Sequence, residues 1–491
     1  EGGFLGLDNI GIFDRSKPLP TGGVIKQSDG TAWVAKYCLD LMRICLELVD
    51  AGKPYSSLVE KCFEHFLQIA KATTNLGGCQ VTVIDLTSQT WLTTNEVNRT
   101  LWKHWLTVAR PKDLAHKTAL LVIAGGANRE GELPKPSAEL TRIAEATRSV
   151  VVELKMIPNQ PLIFHRDGKE RVEDDLIAYT WDQFLRTGDS RWPARLPMTK
   201  AVVRAMDAVS AFTATPAGGA QAVETYVVAG GSKRGWTTWT TAAVDKRVVA
   251  LCPIVIDMLN IEPSFKHHFQ AYGNYAPAVG NYVEQGIMNW QGTPEYRALM
   301  KIEEPFEYRD RLTQPKLIMN ACGDQFFLPD SSQFYFDELQ GPKYLRYIPN
   351  TDHSLRNSDA PLTIAAWHHA ILTGAKLPEL SWRHERGELV VQAGGQPRRA
   401  RLWTATNPAA RDFRMETLGA KWISEPLETG RAEIRAAVPK PAAGWTAYLV
   451  ELEYDLEGPS PLKLTTEVTV TPDTLPFGSF RAERPKGFLS Q

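Results

Sequence analysis

Tyr226-Val227-Val228-Ala229-Gly230-Gly231-Ser232-Lys233-Arg234-Gly235-Trp236 is the stretch that decides how this chain reads. Four apolar residues predict a buried strand, two glycines and a serine follow, and helical patterning begins at Trp236 and runs to Val244. Such a strand–turn–helix passage lifts a hydroxyl onto a sharp, strained tip, and its neighbours must be small for strand and helix to pack closely. Gly230 and Gly231 meet that need. In the usual G-x-S-x-G arrangement a glycine stands two places after the serine. Here Arg234 holds that place and Gly235 comes one later. Taken alone, Gly-Gly-Ser reads equally well as a surface turn, so the rest of the chain must decide.

Two distant segments supply the partners a serine nucleophile needs. Lys316–Asn320 reads as a strand that leads through Ala321-Cys322-Gly323 to Asp324, a carboxylate just past a late strand. Tyr344–Ile348 reads as another, and its polar exit loop Pro349-Asn350-Thr351-Asp352 ends at His353. A serine hydroxyl is a weak nucleophile until a base removes its proton, and an imidazole can take that proton and later return it. A carboxylate behind the imidazole fixes its tautomer. Ser232, His353 and Asp324 are therefore the expected nucleophile, base and orienting acid. Asp330, after Pro329, is better explained as a helix N-cap, and Asp352 as a solvated neighbour.

An acyl-transfer site also needs two N–H donors for the tetrahedral oxyanion. Lys233, directly after the nucleophile, is one. Gly126 or Ala127, where strand Ala119–Ile123 runs into Ala124-Gly125-Gly126-Ala127, supplies the other. The rival reading of that glycine loop, a phosphate cradle, lacks any G-x-x-x-x-G-K-[ST] sequence. Arg234 and Trp236 are candidate substrate-binding residues, with a structural salt bridge the competing role for Arg234. The Lys266-His267-His268 run has no placed carboxylate, so no metal site and no cofactor is expected.

Outward from the elbow, short apolar strands at Val81–Ile84, Thr118–Ile123, Val150–Lys155 and Val248–Pro253 alternate with helices at Ala138–Arg148 and Lys200–Phe212. That alternation predicts an α/β domain, a parallel sheet covered on both faces, over residues 75–376. Residues 262–306, rich in Tyr, Asn and Gly, fall between elbow and acid and are expected to form a lid. Asp174 and Asp175 are expected in a loop near the site. Residues 1–74 read as a helical hairpin, and residues 377–485 as a β-sandwich of spaced strands with partial alternation.

Bulk properties agree with an ordinary globular protein. The 491 residues are 43% hydrophobic and 23% charged, with formal net charge −1. So near a balance gives no electrostatic case for nucleic acid or a membrane surface. No apolar run approaches the roughly 20 residues that span a bilayer, and the start at Glu1 has no basic end and apolar stretch of a signal peptide. The six cysteines, Cys38, Cys45, Cys62, Cys79, Cys252 and Cys322, show no metal-ligand spacing and read as buried thiols.

From about residue 77 onward the chain resembles the PhoPQ-activated pathogenicity-related protein family. The matching stretches are Leu86-Thr87-Ser88-Gln89-Thr90-Trp91, Ile157-Pro158-Asn159-Gln160, Asp174–Trp181, Leu196-Pro197-Met198-Thr199-Lys200, Gly231–Trp239, Gly323–Asp330 and Pro349–His353. The resemblance implies an α/β-hydrolase fold, a Ser-Asp-His set on Ser232, Asp324 and His353, and secretion or a periplasmic location. The elbow is also similar to that of glucuronoyl and acetyl-xylan esterases. Together these imply a serine hydrolase cleaving an ester or amide in a small-molecule or peptide substrate, with a catalytically idle signalling or binding protein as the alternative. Residues 1–74, through Gly6-Leu7-Asp8-Asn9 and Phe63-Glu64-His65-Phe66-Leu67, resemble a fragment of mannosyl-oligosaccharide-glucosidase-like proteins, with Asp8 as the acid. One hairpin without the partner carboxylate cannot perform two-carboxylate glycoside hydrolysis.

Overall fold

The computed structural model describes residues 72–76, 78–128 and 134–483, together with Leu41 and Ile44 as isolated helical positions. The rest of the hairpin expected over residues 1–74 lies outside the described residues, as does Asp8. Two compact units make up the chain, residues 1–74 with 82–85, and residues 75–81 with 86–491. The site lies in the second.

Nine strands precede the C-terminal region: β1 (Ala72–Leu76), β2 (Cys79–Thr90), β3 (Leu101–Pro111), β4 (Thr118–Ile123), β5 (Val151–Leu154), β6 (Thr225–Gly231), β7 (Val248–Ile254), β8 (Lys316–Ala321) and β9 (Lys343–Ile348). From β2 onward they run within one large sheet in the order β2-β3-β5-β4-β6-β7-β8-β9. β3 is antiparallel to β5, and every pairing from β5 to β9 is parallel. β6 sits at the centre because Tyr226, Val227, Val228 and Ala229 are all fully buried, and only a strand covered on both faces accepts so continuous an apolar run.

Side-chain alternation along β6 sorts the helices between those faces. Val227 and Ala229 share a core with Leu140, Ile143 and Ala144 of α1 (Ala138–Thr147) and with Trp367 of the late helix Ala360–Thr373. Tyr226 points the other way, its hydroxyl 2.8 Å from both Ser210 Oγ and the Met206 carbonyl. α2 (Glu173–Thr187), α3 (Arg195–Ala214) and α4 (Lys233–Val244) follow, and Ser210 and Met206 lie on α3. Asp174 and Asp175, expected in a loop, instead occupy the first turn of α2, where carboxylates meet the positive end of the helix dipole. The expected lid is a helical insertion between β7 and β8, built from α5 (Ile261–Tyr272), α6 (Gly280–Glu284), α7 (Pro294–Glu303) and short 3-10 turns.

The C-terminal strands form the expected β-sandwich, one of whose sheets is continuous with the large sheet. The strands are β10 (Ser381–Glu385), β11 (Glu388–Gln392), β12 (Arg399–Asn407), β13 (Ile423–Leu427), β14 (Glu433–Ala437), β15 (Trp445–Tyr454), β16 (Leu462–Thr465) and β17 (Thr469–Thr471). β16 pairs antiparallel with β9, and the large sheet continues through β15, β12 and β13. Among the described residues β10-β11-β14 form a second sheet, which packs Leu389, Val391 and Ile434 into the same core as Leu402, Val450 and Leu464. The physical reason is edge protection: without β16, β9 would offer an open row of backbone donors and acceptors.

Further along, Phe477 N–H donates to the Gln270 carbonyl at 3.0 Å, and the Phe480 ring packs on Phe269 of α5, centroids 5.3 Å apart. Arg411 reaches Asp330 at 2.5 Å, with side chains 1% and 4% exposed, and His267 lies 3.1 Å from the same carboxylate. Asp330, expected as an N-cap, makes no capping hydrogen bond. Burial alone would raise its pKa, but Arg411 and His267 outweigh it and hold the carboxylate well below the usual range. Arg411→Met should therefore cost about 3–5 kcal/mol, the toll of stranding one member of a buried ion pair. Denaturant unfolding reads this directly, and a loss under 1 kcal/mol would contradict it.

Candidate active site

Three parallel strands deliver the three candidate catalytic residues beyond their carboxyl ends. Ser232 follows β6 at φ 59° and ψ −127°, a conformation that costs a non-glycine residue about 1–3 kcal/mol. Its N–H donates to the Ile254 carbonyl at 2.8 Å and its carbonyl accepts from Trp236 at 3.0 Å, so both flanks are pinned. A Cβ on Gly230 would lie 2.6 Å from the Arg234 carbonyl oxygen, and one on Gly235 would lie 2.8 Å from Ile256 and 2.9 Å from two backbone oxygens. Gly231, by contrast, has nothing closer than 3.9 Å. The indispensable pair is thus Gly230 and Gly235, and the glycine one place late does the close packing. Gly235→Ala should cost about 1–3 kcal/mol by overpacking, while Gly231→Ala should be nearly neutral. Thermal denaturation of the two variants separates them, and equal losses would refute the assignment.

Asp324 stands just past β8 and is 3% exposed. Its Oδ2 lies 2.7 Å from His353 Nδ1, and its Oδ1 accepts from the Phe326 N–H at 2.8 Å. The His353 N–H donates to Gln325 Oε1 at 3.0 Å, and its ring lies against Phe326 with centroids 4.3 Å apart. Phe326 and Phe327 line one pocket with Ser232. Asp324 and His353 are therefore directly joined, and Ser232 shares a pocket with the rings that flank His353. Among the described residues no hydrogen bond joins the Ser232 hydroxyl to the imidazole. Such contacts commonly tighten only when substrate binds.

Lys233 opens α4, so its backbone N–H is one of the helix's orphan donors. Its ammonium is spoken for by Glu173 at 2.8 Å and Asp174 at 3.1 Å. The loop after β4 comes close to the elbow: Gly126 adopts φ +124°, and a Cβ on Gly125 would lie 2.6 Å from Arg234 Nη2. Gly126 and Ala127 are not among the described residues lining the Ser232 pocket.

Arg234 does not face the pocket. Its guanidinium grips Glu173 at 2.7 and 2.5 Å and donates to the Ile157 carbonyl at 2.5 Å, with the side chain 11% exposed. The salt-bridge role thus replaces the substrate-binding one, because each guanidinium nitrogen already donates to Glu173 or Ile157. Burial would raise the Glu173 pKa, yet Arg234 and Lys233 more than reverse that and hold it at about 2. Glu173 therefore stays ionised at neutral pH.

Trp236 does line the pocket, 1% exposed, with its indole N–H on the Glu303 carbonyl at 2.5 Å. Other walls come from Trp181, Phe265 and Tyr282, and the polar members besides Ser232 and Lys233 are Asp174 and Arg195. Asp174 also accepts from Tyr282 at 3.1 Å. Arg195 was not foreseen, since nothing in Trp192-Pro193-Ala194-Arg195 marks it as pocket-lining. His267 and His268 sit on α5, and the latter accepts from the Ala276 N–H at 2.9 Å. Among the described residues no group of three metal-ligating side chains occurs, and no helix is long and apolar enough to cross a membrane. Cys79, Cys252 and Cys322 are free and buried; Cys38, Cys45 and Cys62 lie outside the described residues.

Asp257, past β7, was also missed. It is 3% exposed and accepts from Tyr335 and Tyr347 hydroxyls at 2.6 Å each. Burial pushes its carboxyl up to about 8 against the pull of the two phenols. With a folded pKa above the unfolded one, near 4, this group's contribution to stability is full below about pH 4 and is lost as pH climbs toward 8. Asp257→Asn should flatten the decline in melting temperature across that window, and an unchanged slope would count against it.

Strand order and elbow define a chain of the α/β-hydrolase fold. Residues 57–414 match the family model described as PhoPQ-activated pathogenicity-related protein, and the chain belongs to that family. Among its relatives, the autocrine proliferation repressor protein A of Dictyostelium discoideum is 39% identical over 430 residues, 81% of this chain and 86% of that protein. An uncharacterized Saccharomyces cerevisiae protein is 53% identical over 70 residues, 14% of this chain but 6% of its own length. Neither relative's name describes a glucosidase, so the resemblance drawn for residues 1–74 gains no support from them. Among solved structures, an acetyl xylan esterase from Paenibacillus sp. R4 aligns with TM-score 0.41 and 15% identity, over 58% of this chain and 82% of its own. The acetyl xylan esterase 1 of Thermoanaerobacterium sp. aligns at 0.40 and 12%, over 68% and 92%. At that level of likeness the fold rests on the chain's own strand order.

Proposed function

We propose that this chain is a serine hydrolase that cleaves an ester or amide through an acyl-enzyme on Ser232. The observation that carries the reading is the 2.7 Å bond between Asp324 and His353, at the edge of a sheet whose central strand ends in a strained serine. In the proposed cycle His353 takes the Ser232 proton as the hydroxyl attacks the carbonyl. Asp324 holds the imidazole in the tautomer that presents Nε2 and stabilises the imidazolium. The oxyanion is met by the Lys233 N–H and by Gly126 or Ala127, and the imidazolium then protonates the leaving group. Water repeats the sequence to release the acid. No cofactor takes part, and the family resemblance further suggests action outside the cytoplasm.

A second reading is favoured by the Dictyostelium relative, whose name describes a repressor of proliferation rather than an enzyme. In that reading the hydrolase fold is an idle binding platform. A fluorophosphonate probe separates the two. The intact chain should label at one site, Ser232→Ala should abolish labelling, and Asp324→Asn should slow ester turnover by about 10⁴-fold. A folded wild-type chain that never labels would establish the idle reading instead.

A further inference from the structure

A second cavity, of about 430 Å³, opens where the C-terminal strands join the large sheet, and the residues around it include none of those beside Ser232. Small-molecule sites typically measure about 300–1,000 Å³, so this one is large enough to matter. One wall is built by β12 and β15. Arg399, Arg401 and Trp403 alternate along β12 and so share one face, while Glu453 and Glu451 stand opposite the two arginines on β15. Another wall comes from both stems of the loop that carries His353. Residues 349–351 leave β9 on one side, and residues 357–359 lead into helix Ala360–Thr373 on the other.

Every carboxylate around this cavity already has a cation. Asp359 is held by Arg346 at 2.9 Å and by Lys463 at 2.7 Å, and Glu451 by Arg346 at 2.5 Å. Glu453 is held at 2.9 Å by Arg398, which does not line the cavity. Two arginines are left over. Arg401 forms no ion pair among the described residues and donates to Ser424 Oγ at 3.1 Å, while Arg399 comes no closer to Glu453 than 3.8 Å. Guanidinium forks match the paired oxygens of a phosphate or carboxylate, and here two of them stand two residues apart on one strand face. Trp403 continues their row with an aromatic wall, and ionised Glu451 and Glu453 keep lone pairs free to accept from hydroxyls. We infer that this cavity is a second ligand site, for a monosaccharide-sized molecule that carries a phosphate or carboxylate. Arg399 and Arg401 bind its anionic group, Trp403 packs on its ring, and the glutamates accept from its hydroxyls. Nothing in this inference depends on the hydrolase reading.

Titration calorimetry of the full chain with glucose 6-phosphate, glucuronate, glucose and inorganic phosphate tests this. Glucose 6-phosphate or glucuronate should bind about tenfold or more tightly than both glucose and inorganic phosphate, and the stronger of the two tells phosphate from carboxylate. Arg401→Met should weaken that binding by about tenfold or more. Should that variant not fold, Arg399→Met, at a side chain 52% exposed, reads the same loss. Anionic sugars that bind no better than glucose or inorganic phosphate, or that do not bind, overturn the inference. Binding that survives loss of the tested arginine in a folded chain overturns it as well.

Discussion

The backbone at Ser232 is the constraint on which the rest depends. A serine at φ 59° persists only where its surroundings over-determine it, and here they do so from three directions. The Ile254 carbonyl anchors its N–H, the first turn of α4 claims its carbonyl, and the collar of Arg234, Lys233 and Glu173 holds that turn against α2. Glu173 is itself at φ 50°, with its N–H and a carboxylate oxygen both tied to Gln160. Strain at one residue is thus shared with a second, and charged hydrogen bonds offset both.

The same collar explains why this elbow tolerates arginine where a glycine is usual. The Arg234 guanidinium turns away from substrate, over Gly125, and closes a gap between the β4 exit loop and α2. Glycine is then required one residue later, where α4 crosses the ends of β6 and β7.

How much of this was legible in the sequence follows from which forces act locally. Strands β4, β6, β8 and β9 were read almost to their ends because each is an apolar run bounded by turn residues. The contact between Asp324 and His353 was legible because the chain order Ser, Asp, His and the strand-then-loop context are local facts. β3 was missed because Trp102, His104 and Lys103 mix polar and aromatic side chains without clear alternation. The β16–β9 pairing was invisible because one antiparallel contact, Thr465 opposite Leu345, joins residues 120 positions apart. The ion pairs of Asp330 with Arg411 and of Arg195 with Glu303 are likewise long-range, and neither has a sequence signature. Single charged residues do not announce their partners.

The segment carrying Phe477 and Phe480 gives the lid an outer neighbour. Gly273 ends α5 with φ +75°, and its missing side chain leaves room for the Phe477 ring, which a Cβ there would meet at 2.9 Å. Glu483 N–H adds a contact to Asn289 Oδ1 at 3.2 Å. The insertion over the pocket is therefore gripped from outside by chain that emerges after the last β-strand. Ribosomal synthesis delivers that chain after Ser232, Asp324 and His353, so the insertion gains these outer contacts only once all three residues have been made.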